Sequence, residues 1–272
     1  MEEDRIPLER SFNLGENCAE TAGDFLEHYL ESKPQDVRRE NDPEHDNNLI
    51  KAAEDYAKRA LYHNPQELDY YLLLATIQET RGHHLRARKT LLTAQSTDED
   101  ASEDVGLLGR LGRNSYNIKD YKQALFFLRN AYLIDPKEPE IMEMLGHVHT
   151  KLRHYNHALR HLHNAESITE PGCELYISMG ECYLRIKSPL EACACFTTAV
   201  TINQRSVEAL CGLAESQARL GATYEAMCAV GSAYEIDPKN KSVEALRMNI
   251  GFKRMTERCP IRIIEFKQNG RS

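Results

Sequence analysis

Apolar and small residues recur along this chain at helical spacing, in a series of short segments of one design. At Ala124, Leu128 and Ala131 they fall at i, i+4 and i+7, the face of one helix. The same triplet returns at Ala87, Leu91 and Ala94, at Ala158, Leu162 and Ala165, at Ala192, Phe196 and Ala199, and at Ala226, Val230 and Ala233. From Ala124 onward the interval is 34 residues, whereas Ala87 to Ala124 is 37, which implies a three-residue insertion in the acidic stretch from Asp98 to Asp104. Twelve residues before each triplet stands a second small residue: Ala75, Gly112, Gly146, Gly180 and Ala214. Each follows an apolar one: Leu74, Leu111, Leu145, Met179 and Leu213. The pattern predicts two antiparallel helices per period, with small residues where backbones approach and Leu, Phe and Ile rows filling the grooves. Asn64-Pro65, Asp135-Pro136 and Asp237-Pro238 close some units, because proline lacks the amide proton that would continue a helix.

A fixed period with these landmarks closely resembles the tetratricopeptide repeat family. Its signature places small residues at the eighth and twentieth positions, an apolar or aromatic one at the twenty-fourth, Ala at the twenty-seventh and Pro at the thirty-second. The resemblance assigns full units to 68–101, 105–138, 139–172, 173–206 and 207–240. The family's Trp at the fourth position is replaced by Tyr71, Leu108, Met142, Tyr176 and Leu210, and Glu99, Glu170 and Gln204 stand where Pro is usual. The fold implied is all-α, a right-handed superhelical solenoid of antiparallel helix pairs.

The ends of the array are less regular. Residues 49–67 read as the second helix of a degenerate first repeat, with Ala53, Ala57 and Ala60 leading to Asn64-Pro65 and a cap at Asn47 or Asn48. Its first helix is expected at 17–31, where Ala22, Phe25, Leu26, Tyr29 and Leu30 share a stripe, so 1–48 is an N-terminal helix plus a charged loop at 32–48. Residues 241–257 read as a closing helix with Val243, Leu246 and Ile250 on one face, polar outside to shield the end of the stack. The tail, 258–272, carries Ile261, Ile263, Ile264 and Phe266, and could add a strand to a partner or stay loose.

Composition then narrows the function. A formal net charge of -8 counts against nucleic acid as the main partner, since phosphates require a basic surface. No run of about 18 apolar residues is present for a membrane span. The acidic start is not a secretory signal, and cysteines set among Ala and Leu fit a reducing compartment. The chain is therefore expected in the cytoplasm or nucleus, with Cys182, Cys193, Cys195, Cys211 and Cys228 as small core residues. In Cys193-Ala194-Cys195 one thiol is expected in the core and the other outside.

The resemblance implies a concave groove lined by first helices, taking an extended peptide or a helix from a protein partner, and hence a scaffold or adaptor within a multi-protein assembly. The groove candidates are Arg110, Arg113, Asn117, His147, Lys151, Glu181, Arg185, Glu215 and Arg219. Acids such as Glu140, Glu174 and Glu208 gather at helix starts and bases at helix ends, an order the helix dipole alone would also favour. Arg110 and Arg113 lie mid-helix and escape that explanation. The clamp by which some members grip chaperone tails is absent: its places hold Leu72, Thr76, Arg110, Glu140 and Met144, and a shift by one unit fits no better.

No catalytic motif, phosphate loop or cofactor signature occurs, so neither an enzyme nor a cofactor is expected. A helical-repeat RNA binder is the alternative, but acidic residues interrupt every basic stripe. Six histidines crowd 147–163, and His157 and His161 could share an outward face. No complementary ligand accompanies them, and no metal is expected.

Overall fold

The computed structural model describes residues 8–32, 43–97, 103–168 and 172–258. Among the described residues there are thirteen α-helices and no strand. They are α1 (Leu8–Ser32), α2 (Pro43–His63), α3 (Leu68–Thr80), α4 (His84–Thr97), α5 (Val105–Asn117), α6 (Tyr121–Ile134), α7 (Pro139–Lys151), α8 (Tyr155–Glu166), α9 (Cys173–Arg185), α10 (Pro189–Ile202), α11 (Val207–Arg219), α12 (Thr223–Ile236) and α13 (Lys241–Arg258). The chain divides after Lys137 into two compact units, one holding α1–α6 and the other α7–α13. In both, consecutive helices pack as pairs.

The landmark residues are the places where the helices of a pair touch. Ala87, Ala124, Ala158, Ala192 and Ala226 are all fully buried. A methyl group on Gly112 would lie 2.5 Å from Leu128 Cγ, and one on Gly180 would lie 2.7 Å from Phe196 Cε2. The small residue of the first helix is thus the hole into which the large residue of the second helix fits, and both recur because the pair recurs.

The turn inside each pair is also periodic. Gly82, Lys119, Arg153, Lys187 and Gly221 all take a left-handed backbone, with φ of 71, 65, 64, 66 and 83°. The next amide then reaches back over the helix end: His83 N to Gln78 O at 2.8 Å, and Asp120 N to Ser115 O, His154 N to His149 O, Ser188 N to Tyr183 O and Ala222 N to Gln217 O at 2.9 Å each. This six-to-one bond satisfies a carbonyl that the ending helix leaves unpaired. Glycine takes the conformation freely; the three basic residues take it at a cost. At the helix starts Asp104, Asp120 and Ser206 accept from the amides of Leu107, Gln123 and Ala209, which fixes where α5, α6 and α11 begin.

The N-terminal end departs from the sequence expectation in extent. α1 covers 17–31 but runs back to Leu8, and α2 begins at Pro43, not after an Asn47 or Asn48 cap. Proline is tolerated there because the first-turn amides of a helix have no partner within it. Ala22 and Leu26 of α1 pack with Ile50, Ala53 and Ala57 of α2 and with Leu74 and Ile77 of α3, while Phe25 stacks on Tyr56 at 5.7 Å. Glu54, only 3% exposed, binds Lys58 at 2.7 Å and also Arg81. Burial pushes its carboxyl upward, but Lys58 and Arg81 outweigh this and hold it below the ordinary carboxylate range. Of the loop expected at 32–48, residues 43–48 belong to α2; residues 33–42, residues 98–102 of the stretch expected to hold the insertion, and residues 259–272 of the tail lie outside the described residues.

Candidate groove of the C-terminal unit

A groove of about 790 Å³ opens along the first helices of the second unit, bounded by α9, α11 and α13. Its floor is apolar, from Ile177, Leu184, Val207, Cys211 and Leu246, and Ile177 and Leu184 pack as well with Ala192 and Phe196 of α10. Glu181, Glu208 and Glu215 line it, with Arg185 and Arg219 at the helix ends. Of the sequence candidates, Glu181, Arg185, Glu215 and Arg219 are brought together here.

The charges are not equivalent. Arg219 donates to Leu184 O at 2.8 Å and to Glu215 at 2.5 Å, so it is held by the protein itself. Glu181 meets Lys151 of α7 only at 3.9 Å, with both side chains about two-fifths exposed. Glu208 is an outward residue whose carboxyl is nevertheless raised above the ordinary range, by desolvation first and then by Glu181 and Glu174, with Lys151 opposing. Its position in the first turn of α11 should favour the charged form, so desolvation, with the neighbouring carboxylates adding to it, prevails over the helix dipole. Cys211 is raised by burial and by Glu208, which keeps it a protonated apolar thiol.

Asn240 and the α13 residues Ser242, Ala245, Leu246 and Asn249 are absent from the sequence candidates, and Glu208 was read only as one of the acids at helix starts. A signal did exist for α13: Lys241 lies one 34-residue period after Val207, so α13 occupies the place of another first helix. As such it forms a groove wall as well as a closing helix.

Arg110 and Asn117 do different work, inside the first unit. Arg110 Nη2 donates to Glu79 Oε2 and Thr76 Oγ1, both at 2.9 Å, and to Leu72 O at 3.3 Å, while Nε donates to Glu79 Oε1 at 3.3 Å. Asn114 donates to Glu79 at 2.5 Å and faces His84 Nδ1 at 3.1 Å, and Asn117 reaches the same ring at 3.4 Å. Arg110 is therefore a strut between α3 and α5, a mid-helix charge placed for packing. Arg113 is exposed on α5. On α7, His147 Nδ1 lies 2.7 Å from Ser178 Oγ, tying α7 to α9.

The histidine cluster also differs from expectation. His161 is buried, not outward, and its ring stacks on His149 at 5.6 Å with an interplanar angle of 4°. His157 and His154 lie 5.6 and 5.7 Å from the same ring. The partner of His161 is thus His149 on α7, a contact between helices that spacing along α8 could not reveal. Among the described residues no group of three or more His, Cys, Asp or Glu is arranged to hold a metal. The Cys193 and Cys195 contrast is not observed either, since both are half-buried; burial and Glu166 push the Cys195 thiol up to about 11. Cys228 is exposed, outside the core expected for it.

The helix-pair fold has counterparts in solved structures. A chain of the Cut9–Hcn1 hetero-tetramer of the APC/C matches 90% of this chain with a TM-score of 0.68 and 14% identity, and this chain spans 46% of that chain's length. A tetratricopeptide repeat protein from Parabacteroides merdae matches 96% of this chain and 94% of its own, at TM-score 0.67 and 17% identity. The chain has the tetratricopeptide-repeat fold. YrrB, a tetratricopeptide repeat protein with an unusual peptide-binding site, matches 71% of this chain at TM-score 0.56 and 19% identity. By sequence, no family model and no curated protein matches. Among the described residues no helix is long and apolar enough to cross a membrane.

Proposed function

We propose that this protein is a protein-interaction scaffold or adaptor within a multi-protein assembly, and that a segment of a partner lies in the groove between α9, α11 and α13. The observation that carries this reading is the groove itself: about 790 Å³, apolar at the floor and charged at the rim, on the first-helix side of the repeats. A binding surface of this type gains affinity from apolar burial and orientation from its polar edge. Arg110, committed to Glu79 and Thr76, is removed from the partner-binding set, while Arg113 stays in it as an exposed candidate. Carboxylates at the groove oppose a nucleic acid there. A role in binding and not catalysis, in the cytoplasm or nucleus, belongs to the same proposal.

The test is affinity capture from native extract by the wild type and by Ala245→Trp, which fills the groove from an exposed position on α13. The expected outcome is a defined set of proteins retained by the wild type and lost with the variant, with circular dichroism unchanged. Identical captures would move the interaction off this groove.

A further inference from the structure

The charges around the groove are balanced in sign but pair unevenly. Glu215 is bound by Arg219, which also donates to Leu184 O, and Glu181 stands 3.9 Å from Lys151. Glu208, in the first turn of α11, and Arg185, in the last turn of α9, line the groove as exposed side chains. Neither has an ion-pair partner among the described residues, and Lys151 acts on Glu208 only at longer range. The helix dipole accounts for an acid at a helix start and a base at a helix end, but it offers each only a fraction of an opposite charge. The groove is therefore bipolar, with Glu208 on one rim, Arg185 on the other, and Ile177, Leu184, Val207 and Leu246 between them. Glu208 precedes Arg219 by eleven residues on α11, and Arg185 stands one 34-residue period before Arg219, at the same level of α9. At about 1.5 Å of rise per residue the two rims lie about 16 Å apart, the length of about five extended residues. A partner of a single charge sign would meet repulsion at one rim, whatever it gained at the other.

We infer, resting on the scaffold reading above, that the groove between α9, α11 and α13 recognises an extended protein segment of mixed charge. It carries a Lys or Arg at one end, an Asp or Glu about five residues away, and aliphatic side chains between them. The cation lies at Glu208, the carboxylate at Arg185, and the aliphatic side chains cover Ile177, Val207 and Leu246. Each charge of the segment meets a rim charge that the chain leaves available, so neither the Glu215–Arg219 pair nor the Glu181–Lys151 pair has to break. A guanidinium such as that of Arg185 suits a carboxylate because two parallel N–H donors match its two oxygens. Burial at the floor supplies affinity, and the two rims fix the spacing and the direction of the segment.

A phage-displayed library of random twelve-residue peptides, panned on the full chain, supplies the probe. The expected result is a consensus with Lys or Arg and Asp or Glu about four to six residues apart and Ile, Leu or Val between them. Calorimetry with the synthetic consensus peptide should show about tenfold weaker binding to Arg185→Glu and to Glu208→Lys, and weaker wild-type binding as NaCl rises. Changing the acid of the peptide to Lys should restore binding to Arg185→Glu and weaken binding to the wild type, which separates a lost charge contact from a damaged fold. A consensus of one charge sign would overturn the inference, as would charge variants that bind like wild type or an altered peptide that restores nothing. If Ala245→Trp abolishes binding in any of those cases, the groove reading survives and only the bipolar partner is lost. Binding unaffected by Ala245→Trp would overturn both, and so would failure to enrich any peptide.

Discussion

His149 should make the C-terminal unit acid-sensitive. Its Nδ1 is buried and has no hydrogen-bond partner, and its ring is flanked by His161, His157 and His154 at 5.6–5.7 Å. Burial first, then these imidazoles and Arg160, lower its pKa from 6.5 to about 4. A pKa depressed in the folded state means that the unfolded chain binds the proton more readily. Stability is therefore full above pH 6.5 and falls as the pH drops toward 4. Linkage puts the loss at about 2 kcal/mol at pH 5 and about 3.4 kcal/mol once the pH is below 4. Burial also lowers His161, with Arg160 and His157 adding to it, so it acts in the same direction. The assays are urea denaturation from pH 8 to 4.5 for wild type and His149→Leu, and an NMR titration of the His149 ring. The wild type should lose about 2 kcal/mol more than the variant between pH 8 and 5, and the ring should titrate near 4. Parallel stability curves, or a ring titrating near 6.5, would refute the reasoning.

Three further outcomes follow from the packing. Gly180→Val should destabilise by about 1–3 kcal/mol through its clash with Phe196, and Gly146→Val should do the same against Leu162; an unchanged melting temperature for both would contradict the pairing. Arg110→Ala should cost about 1.5–3 kcal/mol in urea denaturation, since it removes charged hydrogen bonds to Glu79 and Thr76. Lys187→Gly should stabilise by about 0.5–1 kcal/mol by relieving the left-handed backbone, visible as a raised melting temperature.

The periodic part of the molecule was legible in one dimension because each helix pair solves the same local problem. Gly112 is small because Leu128 must enter between the helices, Ala124 is fully buried on the helix that carries Leu128, and both constraints repeat wherever the pair repeats. Turn chemistry was harder to read: Lys119, Arg153 and Lys187 stand where glycine would have announced the left-handed turn. The start of α2 was misplaced because Pro43 and a dense charge mixture resemble a loop, although a helix accepts proline in its first turn. Charge roles required tertiary contacts. The sequence places Arg110 mid-helix and Arg185 at a helix end, but only the folded contacts show that the first binds Glu79 on another repeat while the second stands at the groove. His161 likewise meets His149 only across two helices, and Glu208 acquires its neighbours only when α9 packs beside α11. The sequence alone determined the repeat, its period and its helix pairs, because those depend on contacts a few turns apart. The tertiary structure decided which charges are struts and which face a groove, because a side chain's partners lie a full repeat or more away.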